Sequence, residues 1–276
     1  KKCKKIVYAD NEASIYINYK IINNVDYYLK GRLPADIKIY QSKLYGMREF
    51  TDFYNKQFNV IDNNEKYSDI INIENTNKII LGWNNGICDY SYWSRLNKNI
   101  FKLFGYFNKK FNIKDYKKNK LLSVRFFQNY HRETINFQRL KLNQLIKKKK
   151  LTSRINRFRY FLELKKSEIS ISPFGWGEIC YRDFESFYYR CTLIKPDMDH
   201  IVTWPNYYIK DETYLSLKWD LSNFEDIMSF INSNKNQDLL KEIAKKGQSK
   251  YFNYLNSGED SYFVKHLSSI IKLIEG

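Results

Sequence analysis

The stretch of the sequence best suited to chemistry is a turn with two glycines, followed by charged side chains. Gly175 and Gly177 come after an apolar run that ends at Phe174, and a segment with helical spacing starts at Glu178. The first backbone N–H groups of a helix have no partners inside the helix, and the helix dipole favours negative charge beside them. A strand, a glycine turn and a helix start therefore predict a site of phosphate size.

Charged side chains share one face of this predicted helix, residues 178–190. The spacing places Glu178, Arg182 and Glu185 near the helix start, where the Arg182 guanidinium would add positive charge to the phosphate site. A separate apolar stripe indicates that the helix packs on a core. The residues of that stripe are Cys180, Phe184, Phe187 and Cys191.

Two further cations lie where a predicted strand ends. Arg125, in "LLSVRFF", lies at the end of the first strand predicted for the C-terminal half, and Lys195 lies at the end of "CTLIKP". Ligands of open α/β sheets bind at the carboxyl ends of the strands, so both side chains are candidates for contacts with a diphosphate. A surface salt bridge is the alternative for each.

Strand-like apolar runs alternate with helical stretches along the chain, which predicts an α/β fold with largely parallel sheets. The predicted strands are 6–9, 37–40, 78–83, 121–127, 169–174, 192–195 and 214–218. The predicted helices are 43–58, 92–111, 132–150, 153–165, 178–190, 223–232, 238–254 and 261–274.

A polar, lysine-rich segment at residues 112–119 marks the best domain boundary. It predicts an N-terminal domain of residues 1–115 and a C-terminal domain of residues 116–276. The amphipathic helix at 261–274 has an apolar stripe that could pack back on the N-terminal domain. The lysine run 147–150 is interpreted as the solvated end of a helix.

The pattern S-P-F-G-x-G-E-x-x-x-R-x-x-E, residues 172–185, followed by the strand "CTLIKP", resembles the nucleotide-sugar segment of GT-B glycosyltransferases of the exostosin-like and group 1 types. The resemblance covers about residues 121–254. It implies two Rossmann-like domains facing across a cleft, with the N-terminal one reduced and the C-terminal one holding the sugar nucleotide. The donor is a nucleotide-diphosphate sugar, the acceptor a glycan or other hydroxyl compound, and no metal or other cofactor is implied.

The resemblance also implies roles for individual residues. Glu185 would bind the ribose hydroxyls, Glu178 would lie near the donor sugar, and Arg182 would contact phosphate or orient the turn. Glu178 and Glu185 have six residues between them, whereas many retaining members have seven, so the stereochemical outcome stays open. The nucleotide-sugar site implied in this way comprises Arg125, Gly175, Trp176, Gly177, Glu178, Tyr181, Arg182, Glu185 and Lys195.

An inverting transferase needs a carboxylate or histidine as general base for the acceptor hydroxyl, and in such enzymes the N-terminal domain normally supplies it. Asp10 is the catalytic candidate for that role, beside Glu178 and Arg182 on the donor side. Further acceptor-side candidates are Glu12, Asp26 and Lys30, and the segment 83–85. For each of these, a helix cap or a turn is the alternative.

Other side chains after the strand "CTLIKP" carry weaker signals. Asp197 and Asp199 have the D-x-D form that metal-dependent glycosyltransferases use, but the form is too short to predict a metal site. His200 could touch the donor sugar or be an ordinary loop histidine. Trp204 is interpreted as packing.

Length, charge and composition exclude several classes of protein. The 276 residues carry a net charge of +17, which predicts an anionic partner, and 43% hydrophobic residues indicate a globular chain. No apolar run is long enough to span a bilayer. Four scattered cysteines without a C-x-x-C pattern predict neither zinc nor a disulfide framework. The first residue is lysine rather than methionine, which suggests a trimmed N-terminus.

The glycosyltransferase hypothesis implies a cytoplasmic protein that can associate peripherally with anionic membrane, where many acceptors are lipid-linked. No nucleic-acid partner is expected. The alternatives are a basic nucleic-acid-binding module, which the charge and the many tyrosines would favour, and an inactive transferase-like binding subunit.

Overall fold

A computed structural model describes residues 4–92, 111–146, 155–256 and 261–276 of the chain. Most of its strands belong to two parallel sheets, one in each half of the sequence. Residues up to 115 are called the N-terminal half and residues from 116 onwards the C-terminal half. The strands are β1 (Val7–Asp10), β2 (Tyr27–Lys30), β3 (Arg32–Pro34), β4 (Ile79–Leu81), β5 (Lys120–Ser123), β6 (Ser167–Ile171), β7 (Thr192–Pro196), β8 (Ile201–Thr203) and β9 (Tyr214–Leu217).

Helices fill most of the connections between these strands. They are α1 (Tyr19–Ile22), α2 (Glu49–Phe58), α3 (Ile73–Thr76), α4 (Glu133–Ile146), α5 (Arg157–Lys166), α6 (Tyr181–Tyr188), α7 (Phe224–Asn232), α8 (Gln237–Leu255) and α9 (Tyr262–Glu275). Short 3₁₀ turns lie at Ile37–Gln41, Asn85–Ile87 and Asn234–Asn236.

The C-terminal sheet has the strand order β5-β6-β7-β9, with all neighbours parallel. Every residue of β7 and β9 is buried, as expected of parallel strands covered on both faces. The smaller N-terminal sheet has the order β1-β2-β4 and is also parallel. The predicted α/β class with parallel sheets is therefore confirmed.

A short antiparallel ladder joins the two halves. Strand β3 follows β2 of the N-terminal sheet and pairs with β8, so that Arg32 lies opposite Thr203 and Pro34 opposite Ile201. The amide of Ala35 continues the pairing by donating to the carbonyl of His200 over 2.7 Å. This ladder brings a segment of each half into direct contact.

The main hydrophobic core crosses the boundary between the halves. Phe50 and Tyr54 of α2 belong to the same cluster of buried residues as Phe174, Phe184 and Phe187 of the C-terminal half. The rings of Phe50 and Phe174 lie 4.9 Å apart between centroids. A second cluster lies beneath the C-terminal sheet and a third beneath the N-terminal one.

Segment 112–119 contacts the C-terminal half along its length. The Lys114 amide donates to Gln248 Oε1 over 2.9 Å, and the Asn119 amide donates to the carbonyl of Lys166 over 3.0 Å. The last helix packs on the N-terminal sheet, since His266 Nε2 lies 2.9 Å from the carbonyl of Gly82. The phenyl ring of Phe263 meets the indole of Trp83 edge-on.

Several elements differ from the sequence-based predictions. The predicted strand 37–40 is a 3₁₀ turn, because Pro34 ends β3 and the Asp36 carboxylate accepts from the Lys38 amide over 3.0 Å. Strands β2, β3 and β8 were not predicted. The helix predicted from residue 178 starts at Tyr181. Predicted elements that include residues 93–110 and 147–154, and the lysine run 147–150, lie partly or wholly outside the described residues.

Candidate functional site

A cavity of about 1090 Å³ lies between the carboxyl ends of the strands of the two sheets. Asn11 and Ala13 follow β1, Arg32 follows β2, and Asn85 follows β4. From the C-terminal half, segment 125–130 after β5, most of segment 175–182 after β6, and side chains of α4 and α5 contribute to the wall. Carboxyl ends of parallel strands are the usual ligand edge of α/β sheets, and both sheets present that edge to the same space.

The charged side chains that line this cavity are mostly arginines. Among the described lining residues they are Arg32, Arg125, Arg139, Arg157, Arg182 and Glu185. Such a wall attracts anions.

Arg182 lies on the first turn of α6, where its side chain is partly buried. Its Nε has no hydrogen-bond partner within the described part of the chain. Burial alone would lower the pKa of Arg182, but the side chains of Tyr160, Cys180, Glu185 and Asp183 together raise it. The guanidinium therefore stays charged and has donor capacity left for a ligand.

Two other arginines of the wall are held by protein oxygens. Arg125 pairs with Glu163 through two bonds, Nε to Oε1 at 3.0 Å and Nη2 to Oε2 at 2.7 Å. Arg139 is buried and donates to the carbonyl oxygens of Phe174 and Phe127. Arg139 thus fixes the backbone on both sides of the cavity wall, while Arg125 contributes a partly neutralised charge.

The glycine turn packs directly against the N-terminal half. A Cβ on Gly177 would lie 2.1 Å from the carbonyl oxygen of Ala13, so only glycine fits this close approach. On the far side of the turn, Arg48 Nε donates to the carbonyl of Trp176. The loop after β1 and the start of α2 therefore fix the path of the turn.

Two amides of this region are bonded within the protein. The Gly175 amide donates to the carbonyl of Gly177 over 3.0 Å, and the Cys180 amide donates to Asp183 Oδ2 over 3.0 Å. The second bond caps α6, which is why the helix starts three residues later than predicted. A ligand would have to use other amides of the turn, such as that of Gly177.

Aromatic and acidic side chains form the side of the cavity beyond Arg182. Glu185 Oε2 accepts a hydrogen bond from the Tyr160 hydroxyl over 2.7 Å. Tyr181 is 57% exposed and stacks on Tyr90, with the ring centroids 5.3 Å apart. Trp176 is 45% exposed. Exposed rings beside a carboxylate and cations can accommodate a nucleoside or a sugar ring.

A buried charged group lies behind the turn. Glu178 Oε2 is 3.7 Å from Arg32 Nη1, which is an ion-pair distance, and its Oε1 is 3.8 Å from His200 Nε2; both distances are too long for hydrogen bonds. Burial alone would raise the pKa of Glu178, but attraction to His200 and Arg32 lowers it to about 2. Both carboxylate oxygens, and Nε and Nη1 of Arg32, have no hydrogen-bond partner among the described residues.

No family model matches the chain, and no curated protein matches its sequence.

The structure gathers most donor-side residues predicted from the sequence around one space. Arg125, Gly175, Trp176, Gly177, Tyr181, Arg182 and Glu185 line the cavity. Glu178 lies behind the wall, in contact with Arg32. Lys195 is elsewhere: its side chain is completely buried, and its Nζ lies 3.0 Å from Asp183 Oδ2. Burial inside the sheet explains this placement, because β7 is a central strand.

The acceptor-side candidates are more dispersed. Asp10 is buried and accepts hydrogen bonds from Lys30 Nζ and from the Tyr28 hydroxyl, each over 2.6 Å. The two acceptor-side candidates Asp10 and Lys30 therefore form an ion pair with one another, away from the cavity wall. Glu12 is exposed, next to lining residues in the loop after β1. Asp26 lies at the opposite, amino end of β2, where it accepts from the Ile6 amide. Of segment 83–85, Asn85 reaches the cavity.

Several wall residues were not anticipated from the sequence. Arg32, Arg139, Arg157 and Tyr160 reach the cavity from three different elements, β3, α4 and α5. In the sequence, these residues are distinguished only by being charged or aromatic, and no motif surrounds them. Their convergence depends on tertiary packing, which periodicity does not report.

The D-x-D pair is engaged in local bonds. Asp197 accepts from the Asp199 amide, from Lys210 Nζ and from the Ser216 hydroxyl. In the described ranges, no group of three or more His, Cys, Asp or Glu side chains is placed to hold a metal ion. Within the same ranges, no helix has the length and apolar character needed to cross a bilayer.

Proposed function

We propose that the protein is a glycosyltransferase that moves a sugar from a nucleotide-diphosphate donor to a hydroxyl group of a glycan or related acceptor. The observation that carries this proposal is the cavity between the two sets of strand ends, where Arg182 and the glycine turn face Asn11, Ala13 and Arg32. Its size is sufficient for a nucleotide sugar. The GT-B arrangement, with a reduced N-terminal domain, is part of the proposal.

The cations of the wall would act on the leaving group. As the glycosidic bond breaks, negative charge grows on the nucleoside diphosphate, and fixed positive groups in a low-dielectric site stabilise that charge. Arg182 and the amide of Gly177 would take this role, without a metal ion. Glu185 would accept bonds from the ribose hydroxyls, since a carboxylate has lone pairs for two donors.

Binding of sugar nucleotides tests the proposal directly. We expect one class among UDP, GDP, CMP and dTDP sugars to raise the melting temperature of the protein, because a ligand that binds only the folded state stabilises it. Arg182→Ala should weaken that binding by about tenfold or more, equivalent to roughly 1.4 kcal/mol. The matched control is Arg159→Ala, which removes an exposed arginine of α5 and should leave binding unchanged.

Absence of stabilisation by every sugar nucleotide would overturn the proposal. So would full affinity in the Arg182→Ala variant. Salt-sensitive binding of single-stranded oligonucleotides in place of nucleotide sugars would instead favour a nucleic-acid-binding module. Release of nucleoside diphosphate in the presence of an acceptor panel distinguishes an active transferase from an inactive binding subunit.

A further inference from the structure

Three consecutive residues of the glycine turn are held by three separate segments of the N-terminal half. The contacts are Trp176 with Arg48, Gly177 with Ala13 and Glu178 with Arg32. The segments are the start of α2, the loop after β1 and the first residue of β3. The conformation of the turn is therefore determined from outside the half that carries it.

Arg48 is the contact that acts on a peptide group of the turn. It is 7% exposed, and its Nη1 donates to the carbonyl of Gly46 over 2.9 Å while its Nε donates to that of Trp176. Burial lowers the pKa of Arg48 to about 10, so the guanidinium remains charged at neutral pH. Hydrogen bonds from a charged donor are stronger than those from a neutral one.

Peptide geometry transmits this contact to the next amide. In a trans peptide the C=O and N–H groups point in opposite directions. The carbonyl of Trp176 points to Arg48, which is not among the described residues of the cavity wall. The N–H of Gly177 belongs to the same peptide, so it is directed away from Arg48, and Gly177 itself lines the cavity.

We propose that Arg48 is a positioning residue that aims the Gly177 amide at the diphosphate of the donor. This inference rests on the proposed function and adds a residue that touches neither substrate nor the cavity. Through Arg48, the N-terminal half sets the donor affinity of the C-terminal half. Any substrate that displaces the start of α2 would therefore change donor binding as well.

Binding of inorganic pyrophosphate, measured by titration calorimetry, tests this role. Arg48→Met removes the donor to Trp176 and should weaken pyrophosphate binding about tenfold, whereas Arg48→Lys keeps a charged donor and should recover most of the affinity. The matched control is Arg132→Met, which removes a buried ion pair with Asp62, 2.8 Å long, outside the cavity wall. That control should lower the melting temperature and leave pyrophosphate affinity unchanged.

Hydrogen exchange in the wild-type protein gives a second measurement that needs no variant. Pyrophosphate should slow exchange of the Gly177 amide specifically. Unchanged Gly177 exchange, or wild-type affinity in Arg48→Met, would overturn the role of Arg48 while leaving the proposed function intact. A wild-type protein that binds neither pyrophosphate nor any sugar nucleotide would overturn the proposed function itself.

Discussion

One buried carboxylate, Glu178, and one partly buried carboxylate, Glu49, have pKa values shifted in opposite directions. His200 and Arg32 lower the pKa of Glu178 to about 2 against the effect of burial. Glu49, the first residue of α2, is shifted the other way: burial, with a further contribution from the negative charge of Glu178, raises its pKa to about 7. Its Oε1 is buried without a hydrogen-bond partner in the described part of the chain. For Glu178 the interactions with His200 and Arg32 outweigh burial, whereas for Glu49 burial dominates.

Glu49 should make stability depend on pH. Its folded-state pKa lies above the unfolded value of 4.5, so its contribution is fully present below pH 4.5 and is lost as the pH rises through about 7. Glu49→Gln removes this loss. The difference in melting temperature between the variant and wild type should therefore increase, in favour of the variant, by about 2–4 °C from pH 5 to pH 8.

Differential scanning calorimetry at both pH values measures this gain. Glu168→Gln, which changes an exposed glutamate of β6, is the control and should show no such gain. An equal difference between Glu49→Gln and wild type at pH 5 and pH 8 would contradict the shift.

Residue spacing was sufficient to find part of the site. Gly175, Gly177, Arg182 and Glu185 lie close in sequence on one turn and one helix, so their proximity could be predicted. Arg32 and Arg48 could not, because they meet the turn only through packing across more than a hundred residues. Asp10 was predicted in a suitable loop, but its neutralisation by Lys30 depends on strand pairing that was not predicted.

At the scale of elements, the glycine turn is the part of the site under the strongest steric constraint. Gly177→Ala would bring a Cβ within 2.1 Å of the Ala13 carbonyl, a backbone atom that cannot rotate away. We expect a loss of about 1–3 kcal/mol in the free energy of unfolding, as for other overpacked positions. Urea titration measures this loss.

Gly82→Ala provides the comparison for that loss. Its added Cβ would meet the nearest atom, the carbonyl oxygen of Lys30, at 3.5 Å, which is an ordinary contact. The free energy of unfolding should therefore change little. Equal stability of the two variants would show that the turn can move away from Ala13.

Element types followed from periodicity more reliably than element boundaries did. Buried strands such as β7 contain a short apolar stretch, Leu193 and Ile194, and amphipathic helices such as α9 have a clear stripe, so both were predicted. Helix α6 started late because the Asp183 side chain caps it at Cys180, an interaction that spacing alone did not locate. The brief strands β3 and β8 have too few residues to show a period.

The whole molecule should unfold as one unit because its main core draws on both halves. We expect the slowest amides of β2 and β7 to exchange with the same free energy, although the strands belong to different sheets. Phe50→Ala should lower both values by about 3–5 kcal/mol, since Phe50 is 1% exposed and packs on Phe174.

Native-state hydrogen exchange, read by mass spectrometry, provides both values. Leu121→Ala, at an exposed position of β5, is the control and should lower neither by a comparable amount. A much lower free energy for β2 than for β7 would mean that the N-terminal half opens independently.

The common aromatic core also restricts how such a chain can be recombined. The C-terminal half grafted onto a foreign partner would expose Phe174 and Phe184 to water and lose the close contact between its glycine turn and the carbonyl of Ala13. Chimaeras cut near residue 115 should consequently precipitate unless the incoming fragment also reproduces α2 and the loop after β1. A change in what the cavity binds should therefore be easier to obtain by point substitutions on the cavity wall than by exchange of modules.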